Sequence, residues 1–163
     1  MEQLSRSLAQ WPRGLLRFLA RLPIGLYRAR LGWLLGNRFL MLTHIGRKSG
    51  LPRQVVVEVV RYDITTDTYF IVSGFGEQAD WFRNIVKTPD VTVHVSTRRL
   101  ACTAVRVSQQ EAASEFKDYA RRYPTALKAL SRVLGYPWDG TEESYQRLAQ
   151  MLPIIELRSR DIK

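Results

Sequence analysis

Gly46, Arg47, Lys48, Ser49 and Gly50, with Arg53 three positions on, are the residues of this sequence best suited to chemistry. The two glycines allow backbone angles closed to other residues, so successive amide N–H groups can converge on one point. Arg47, Lys48 and Arg53 add full positive charges to that partial one. The guest such a loop selects is an anion. Apolar runs flank it, residues 38–42 before and 54–60 after, so it reads as two strands joined by a tight, exposed turn. It is not a Walker A loop, which needs Gly-Lys-Ser/Thr leading straight into a helix. Here Arg47 precedes the lysine and a β-branched run follows Pro52. Taken alone, the same residues also fit an ordinary hairpin turn whose charges keep it soluble.

Other reactive side chains offer less. The single Cys102 excludes an intramolecular disulfide, and its neighbours Leu100, Ala104 and Val105 make it read as a small buried hydrophobe in a reducing compartment. His44 and His94 stand fifty residues apart without the partners of a zinc site, so no metal is expected. The net charge of +10 is unevenly placed. Residues 1–53 carry ten arginines and lysines against Glu2 alone, and the remainder is nearly neutral. An anionic partner for the N-terminal third follows, whether nucleic acid, a membrane surface or a phosphorylated ligand.

The elements that must position the loop can be read in order. With 163 residues and 45% apolar content the chain can build a proper core. We divide it into a basic amphipathic helical segment, 1–37, and a domain, 38–163. In the first, Leu4, Leu8, Trp11, Leu15, Phe18, Leu19 and Leu22 share one helical face, and Arg6, Arg13, Arg17 and Arg21 lie opposite. Pro12 kinks or restarts this helix and Pro23 stops it. Arginines interrupt every apolar run well short of the roughly 20 residues that a membrane span needs. The chain therefore reads as cytoplasmic, at most peripheral at the inner face of the cell membrane. Residues 3–22 either lie on an anionic membrane surface or cover the protein's own sheet.

Residues 54–62 and 68–73 then form a hairpin ending in Gly74-Phe75-Gly76, and Asp80 is expected to cap a short helix over 81–87. Alternation over 91–95 and 100–107 predicts a second hairpin, in which His94 is a strand-surface or groove residue. Ser108 and Glu111 make a capping box for a helix to about 122, Pro124 restarts it to 134, and a last helix spans 141–151 before a closing strand over 153–158. Five or six strands with late helices imply an α+β fold built on a small, partly open β-barrel.

The order of motifs resembles the deazaflavin-dependent nitroreductase family, a branch of the split β-barrel flavin and deazaflavin oxidoreductases. The matching residues are Leu42-Thr43-x-x-Gly46-Arg47-Lys48-Ser49-Gly50-x-x-Arg53, then Val72-Ser73-Gly74-x-Gly76, then Asp80-Trp81-x-x-Asn84 with Pro89-x-Val91-x-Val93. These blocks lie within residues 38–107. The resemblance implies a split barrel that binds the deazaflavin coenzyme F420 in preference to FMN. It implies that Arg47, Lys48, Ser49, Gly50 and Arg53 hold the cofactor's phosphate. Ser73, Gly74 and Gly76 would then run along its ring, with Trp81 and Asn84 beside the cleft. Hydride would pass from the reduced cofactor to a quinone, enone or nitroaromatic. Ser73, Tyr119, Tyr123 and Tyr136 are the candidate proton donors, each tyrosine also fitting a plain packing role. A homodimer is common among split barrels of this kind.

Two other functions compete. A lipid-binding relative without redox activity would hold a fatty-acid-like ligand with the basic helix and residues 136–138, its carboxylate on Arg47 or Lys48. Nucleic-acid binding has only the net charge in its favour, because no helix-turn-helix, zinc finger or RNA-binding aromatic strand is present, and it is not expected.

Overall fold

The computed structural model describes residues 36–133 and 138–160. Residues 1–35, which hold nearly all of the expected basic segment, lie outside them, as does Tyr136. Among the described residues, alternating apolar runs become six strands: β1 (Phe39–Ile45), β2 (Pro52–Asp63), β3 (Thr68–Val72), β4 (Asp90–Val95), β5 (Arg98–Arg106) and β6 (Ile154–Ser159). Every pairing is antiparallel, and the ring runs β1-β2-β3-β6-β5-β4. The barrel is closed rather than partly open, because Met41, Leu42 and Thr43 pair with His94, Val93 and Thr92. Closure removes the exposed edge that an open sheet would leave.

One face of each strand fills the barrel. Leu40, Leu42, Val57, Ile71, Val93 and Leu157 meet there, with Cys102 fully buried among them as a small hydrophobe. The outer face of β3 and β6 presents Phe70 and Ile154 to a second cluster, built on α2 (Gln109–Arg122), α3 (Pro124–Val133) and α4 (Glu142–Met151). A bulge in β2 serves both layers. Val59 pairs with Ile71 and Arg61 with Phe70, so the extra residue Val60 turns under the helices and Tyr62 returns to the interior. The predicted capping box opens α2, Ser108 and Glu111 each satisfying the other's backbone N–H.

The two ends of the barrel are closed differently. At one, Tyr62 stacks on Tyr69 with ring centroids 4.3 Å apart, and Arg98 donates to both hydroxyls and to the two oxygens of Asp67. Burial pushes the Tyr69 hydroxyl up to about 12, and the Arg98 guanidinium holds Asp67 below the usual carboxylate range. At the other end, α1 (Asp80–Lys87) lays Phe82 and Ile85 over the interior cluster. The β1–β2 loop and the turn from β3 into α1 both lie at this second end.

Candidate functional site

The loop between β1 and β2 is built from its own backbone first. Gly46 N–H donates to the Leu51 carbonyl at 2.9 Å, and Gly50 N–H donates to the Gly46 carbonyl at 2.8 Å. Gly50 has φ +67°, a conformation that favours glycine. Gly46 is required for a different reason. A Cβ there would stand 2.6 Å from Ser49 Oγ and 2.9 Å from Arg53 Nε, so the absence of a side chain is what lets those two groups converge.

Helix α1 anchors the loop from behind. Arg47 N–H and Arg47 Nη1 both donate to Asn84 Oδ1 at 3.0 Å. Arg47 Nη2 meets Asp80 Oδ1 at 2.8 Å, and Lys87 Nζ donates to the Arg47 carbonyl at 3.0 Å. Asp80 is therefore not the helix cap expected from the sequence. The cap position is Ala79 and makes no side-chain bond, while the Asp80 carboxylate, the first residue of α1, is spent on Arg47. That bond holds Asp80 below the usual carboxylate range. Arg47 is thereby a clamp, and the charges left facing outward are Lys48 and Arg53, for which no ion pair occurs among the described residues.

Loop and helix form two walls of a groove of about 1650 Å³. Lys48, Ser49 and Arg53 line one side, and Phe75, Trp81 and Asn84 the other. Trp81 is half-buried against the barrel interior, and Phe75 is 75% exposed. The lining is thus cationic at one wall and aromatic at the other, which suits a ligand with an anionic arm and a planar body.

The remaining sequence candidates are distributed unevenly. Ser73 is fully buried and its hydroxyl donates to the Gly76 carbonyl at 2.7 Å, closing the turn into α1. Gly76, at φ +64°, packs so closely that a Cβ would meet the Met151 carbonyl at 2.8 Å, whereas a Cβ on Gly74 would enter open space. Tyr119 donates to Glu58 Oε1 at 3.0 Å under α2. Tyr123 opens on a separate pocket of about 270 Å³ beside Arg38, Glu58 and Arg122. Phe39 pairs with Glu58 and Ile45 with Pro52, so that pocket and the loop are at opposite ends of the hairpin, roughly 20 Å apart at strand rise. His44, which the sequence offered only as a metal ligand to be discarded, is buried behind the loop with Nδ1 3.2 Å from Asn84 Nδ2. Its signal was a polar residue at an inward position of β1, two residues from Leu42.

A closed six-stranded antiparallel barrel with its helices packed on one face is the split-barrel fold. The chain belongs to the F420H(2)-dependent quinone reductase family, whose model matches residues 25–131. It is an oxidoreductase that uses coenzyme F420, and the match falls on the reductase reading rather than the lipid-binding one. No curated protein matches the sequence. Among solved structures the chain is similar to the F420-H2 dependent reductase FDR-A, at 20% identity and TM-score 0.53, over 76% of this chain and 96% of that one. It is also similar to a structure described as a domain-swapped dimer, at 19% identity and TM-score 0.52, over 83% and 99% of the two chains. A third is a pyridoxamine 5'-phosphate oxidase-related, FMN binding protein from Nostoc punctiforme PCC 73102, at 15% identity and TM-score 0.51, over 90% and 79%. At these identities the likeness is one of fold. Among the described residues no helix is long and apolar enough to cross a membrane.

Proposed function

We propose that the groove between the β1–β2 loop and α1 is the coenzyme F420 site, and that the enzyme reduces a planar, quinone-like acceptor. The observation that carries this is the convergence of Ser49 and Arg53 over the bare Cα of Gly46, with Lys48 lining the same groove. The donor set fits a phosphodiester: two cations and a hydroxyl, while Asp80, the carboxylate that also lines the groove, is paired with Arg47. Trp81 and Phe75 offer apolar faces to a tricyclic ring. Arg47 and Asn84 act behind the loop, keeping its backbone in place.

When bound, coenzyme F420 supplies the hydride, which with a proton converts a quinone to a quinol. This chain's residues bind and orient. Lys48 and Arg53 neutralise the anionic arm, Ser49 hydrogen-bonds it, and α1 holds the loop at a fixed distance from Trp81. Because Ser73 already donates within the turn, and Tyr119 and Tyr123 lie away from the groove, we assign the proton to solvent at the open groove. The quinone assignment takes its support from the family description. A homodimer is supported by the domain-swapped relative, and membrane contact through residues 3–22 by the basic amphipathic pattern of the sequence.

Fluorescence titration with oxidised coenzyme F420, run beside FMN and the nicotinamide cofactors, tests the site. Saturable binding of the deazaflavin is expected, weakened more than roughly tenfold in Lys48→Ala/Arg53→Ala, since a charge-assisted hydrogen bond contributes about 1.5–3 kcal/mol. Equal affinity in that variant would remove the phosphate from this loop.

A further inference from the structure

Asn84 sits at a junction where only one arrangement of donors and acceptors works. Its Oδ1 faces two groups of Arg47, the backbone N–H and Nη1, each at 3.0 Å and each able only to donate. The oxygen must therefore face the loop, which turns the amide NH2 to His44 Nδ1 at 3.2 Å. An amide NH2 also only donates, so Nδ1 carries the lone pair and the neutral ring carries its proton on Nε2. Both side chains are only 3% exposed, at the edge of the groove, so each depends mainly on its protein partner.

We infer that His44 is a positioning residue for the anion loop: by accepting from Asn84 it keeps the amide oxygen turned toward Arg47 and the loop backbone aligned. The three residues lie on β1, the loop and α1, separated by 37 and 40 positions, so the arrangement ties one wall of the groove to the other. A second proton on the ring would fall on Nδ1 and face the NH2 group. Turning the amide over relieves that conflict only by pointing NH2 at both Arg47 donors. While the imidazole is charged the Asn84 tie to the loop is lost, leaving only Asp80 and Lys87 to hold Arg47 from α1.

The charges around the ring work in the same direction. Burial first, and Arg53 on β2 second, hold the imidazole below its ordinary value against a hydrogen bond with the Ile45 backbone. From the loop, Arg47 reaches it through Asn84. From α1, Asp80 and Lys87 are both engaged with Arg47 rather than with the ring. The neutral form and the held loop are therefore the state near neutrality.

The link to ligand rests on the proposed site, but the lock is a property of the free protein and is tested there. Nitrogen-15 spectra of the unliganded protein should show His44 as the Nε2–H tautomer at neutral pH. On acidification the Arg47 amide should shift with the same midpoint as the His44 ring, and its exchange protection should fall roughly tenfold, the loss of about one hydrogen bond. Asn84→Asp supplies the control. One carboxylate oxygen still accepts from Arg47 and the other now favours a proton on Nδ1, so the His44 midpoint should rise and the Arg47 amide should stay protected in acid. An Nδ1–H tautomer, an Arg47 amide indifferent to the His44 titration, or a midpoint unmoved in Asn84→Asp would each overturn the inference. If the lock is seen but wild type and Asn84→Asp lose coenzyme F420 affinity alike in acid, the inference stands and the phosphate does not sit on this loop.

Discussion

Gly46→Ala puts the design of the loop to its sharpest test. The new methyl would lie 2.6 Å from Ser49 Oγ, 2.9 Å from Arg53 Nε and 3.3 Å from Arg53 Cδ, all closer than ordinary contact. Gly46 itself is not among the glycines with positive φ, so alanine strains no backbone angle, and the whole cost falls on Ser49 and Arg53. Both are exposed, flexible side chains that can swing aside, so the cost to stability should be small, under about 1 kcal/mol. The larger effect is on the ligand. Two groups that converge on an anion are pushed apart, and losing one charge-assisted bond at about 1.5–3 kcal/mol corresponds to roughly 10- to 150-fold weaker coenzyme F420 binding. The informative assay is a double-mutant cycle by fluorescence titration with Ser49→Ala, which deletes the nearest clashing atom. Ser49→Ala alone should cost about 0.5–1.5 kcal/mol. Combined with Gly46→Ala it should return part of the affinity, a coupling of at least about 0.5 kcal/mol. Strict additivity of the two changes would refute the account of Gly46 as the residue that makes room for Ser49.

Three further expectations are independent of that cycle. Asp67→Asn keeps a residue tolerated at φ +47° but removes the charge held by Arg98; urea unfolding at neutral pH should show a loss of about 1.5–3 kcal/mol. Because the folded value of Asp67 is lowered, its contribution is complete above the unfolded value near 3.9 and lost as pH falls through the folded one. The variant should lack that share of acid destabilisation, and identical acid limbs would refute the role. Tyr123→Phe should leave quinone turnover within about twofold, well under the 10²-fold or more of a lost acid catalyst, and a larger drop would bring the second pocket into the reaction. Deleting residues 2–22 should abolish sedimentation with anionic liposomes while sparing coenzyme F420 binding, and a truncated protein that still pellets would acquit the segment.

Local signals carried a good deal of this protein. Period-two alternation located the strands, Ser108 and Glu111 announced α2, and the paired glycines around Arg47-Lys48-Ser49 marked the tight loop between β1 and β2, because each depends on neighbours within a few residues. The family blocks were legible for the same reason: their spacing is a property of the chain itself. What the sequence left undecided depends on partners far apart along it. Barrel closure needs β1 to find β4, and only a complete register puts Met41 beside His94. That Arg47, which lines the groove, is also held by Asp80 and Asn84, 33 and 37 positions away, could not be read from the chain. Ser73 read as a reactive hydroxyl, but burial obliged it to find an acceptor and Gly76 supplied one. By itself the sequence determined which segments are strands and helices and where a tight cationic loop joins two of them. Which polar side chains of that loop stay open to the groove, and which are tied to α1, was decided only by the tertiary structure, since a buried donor must be satisfied by whatever acceptor the fold brings within reach.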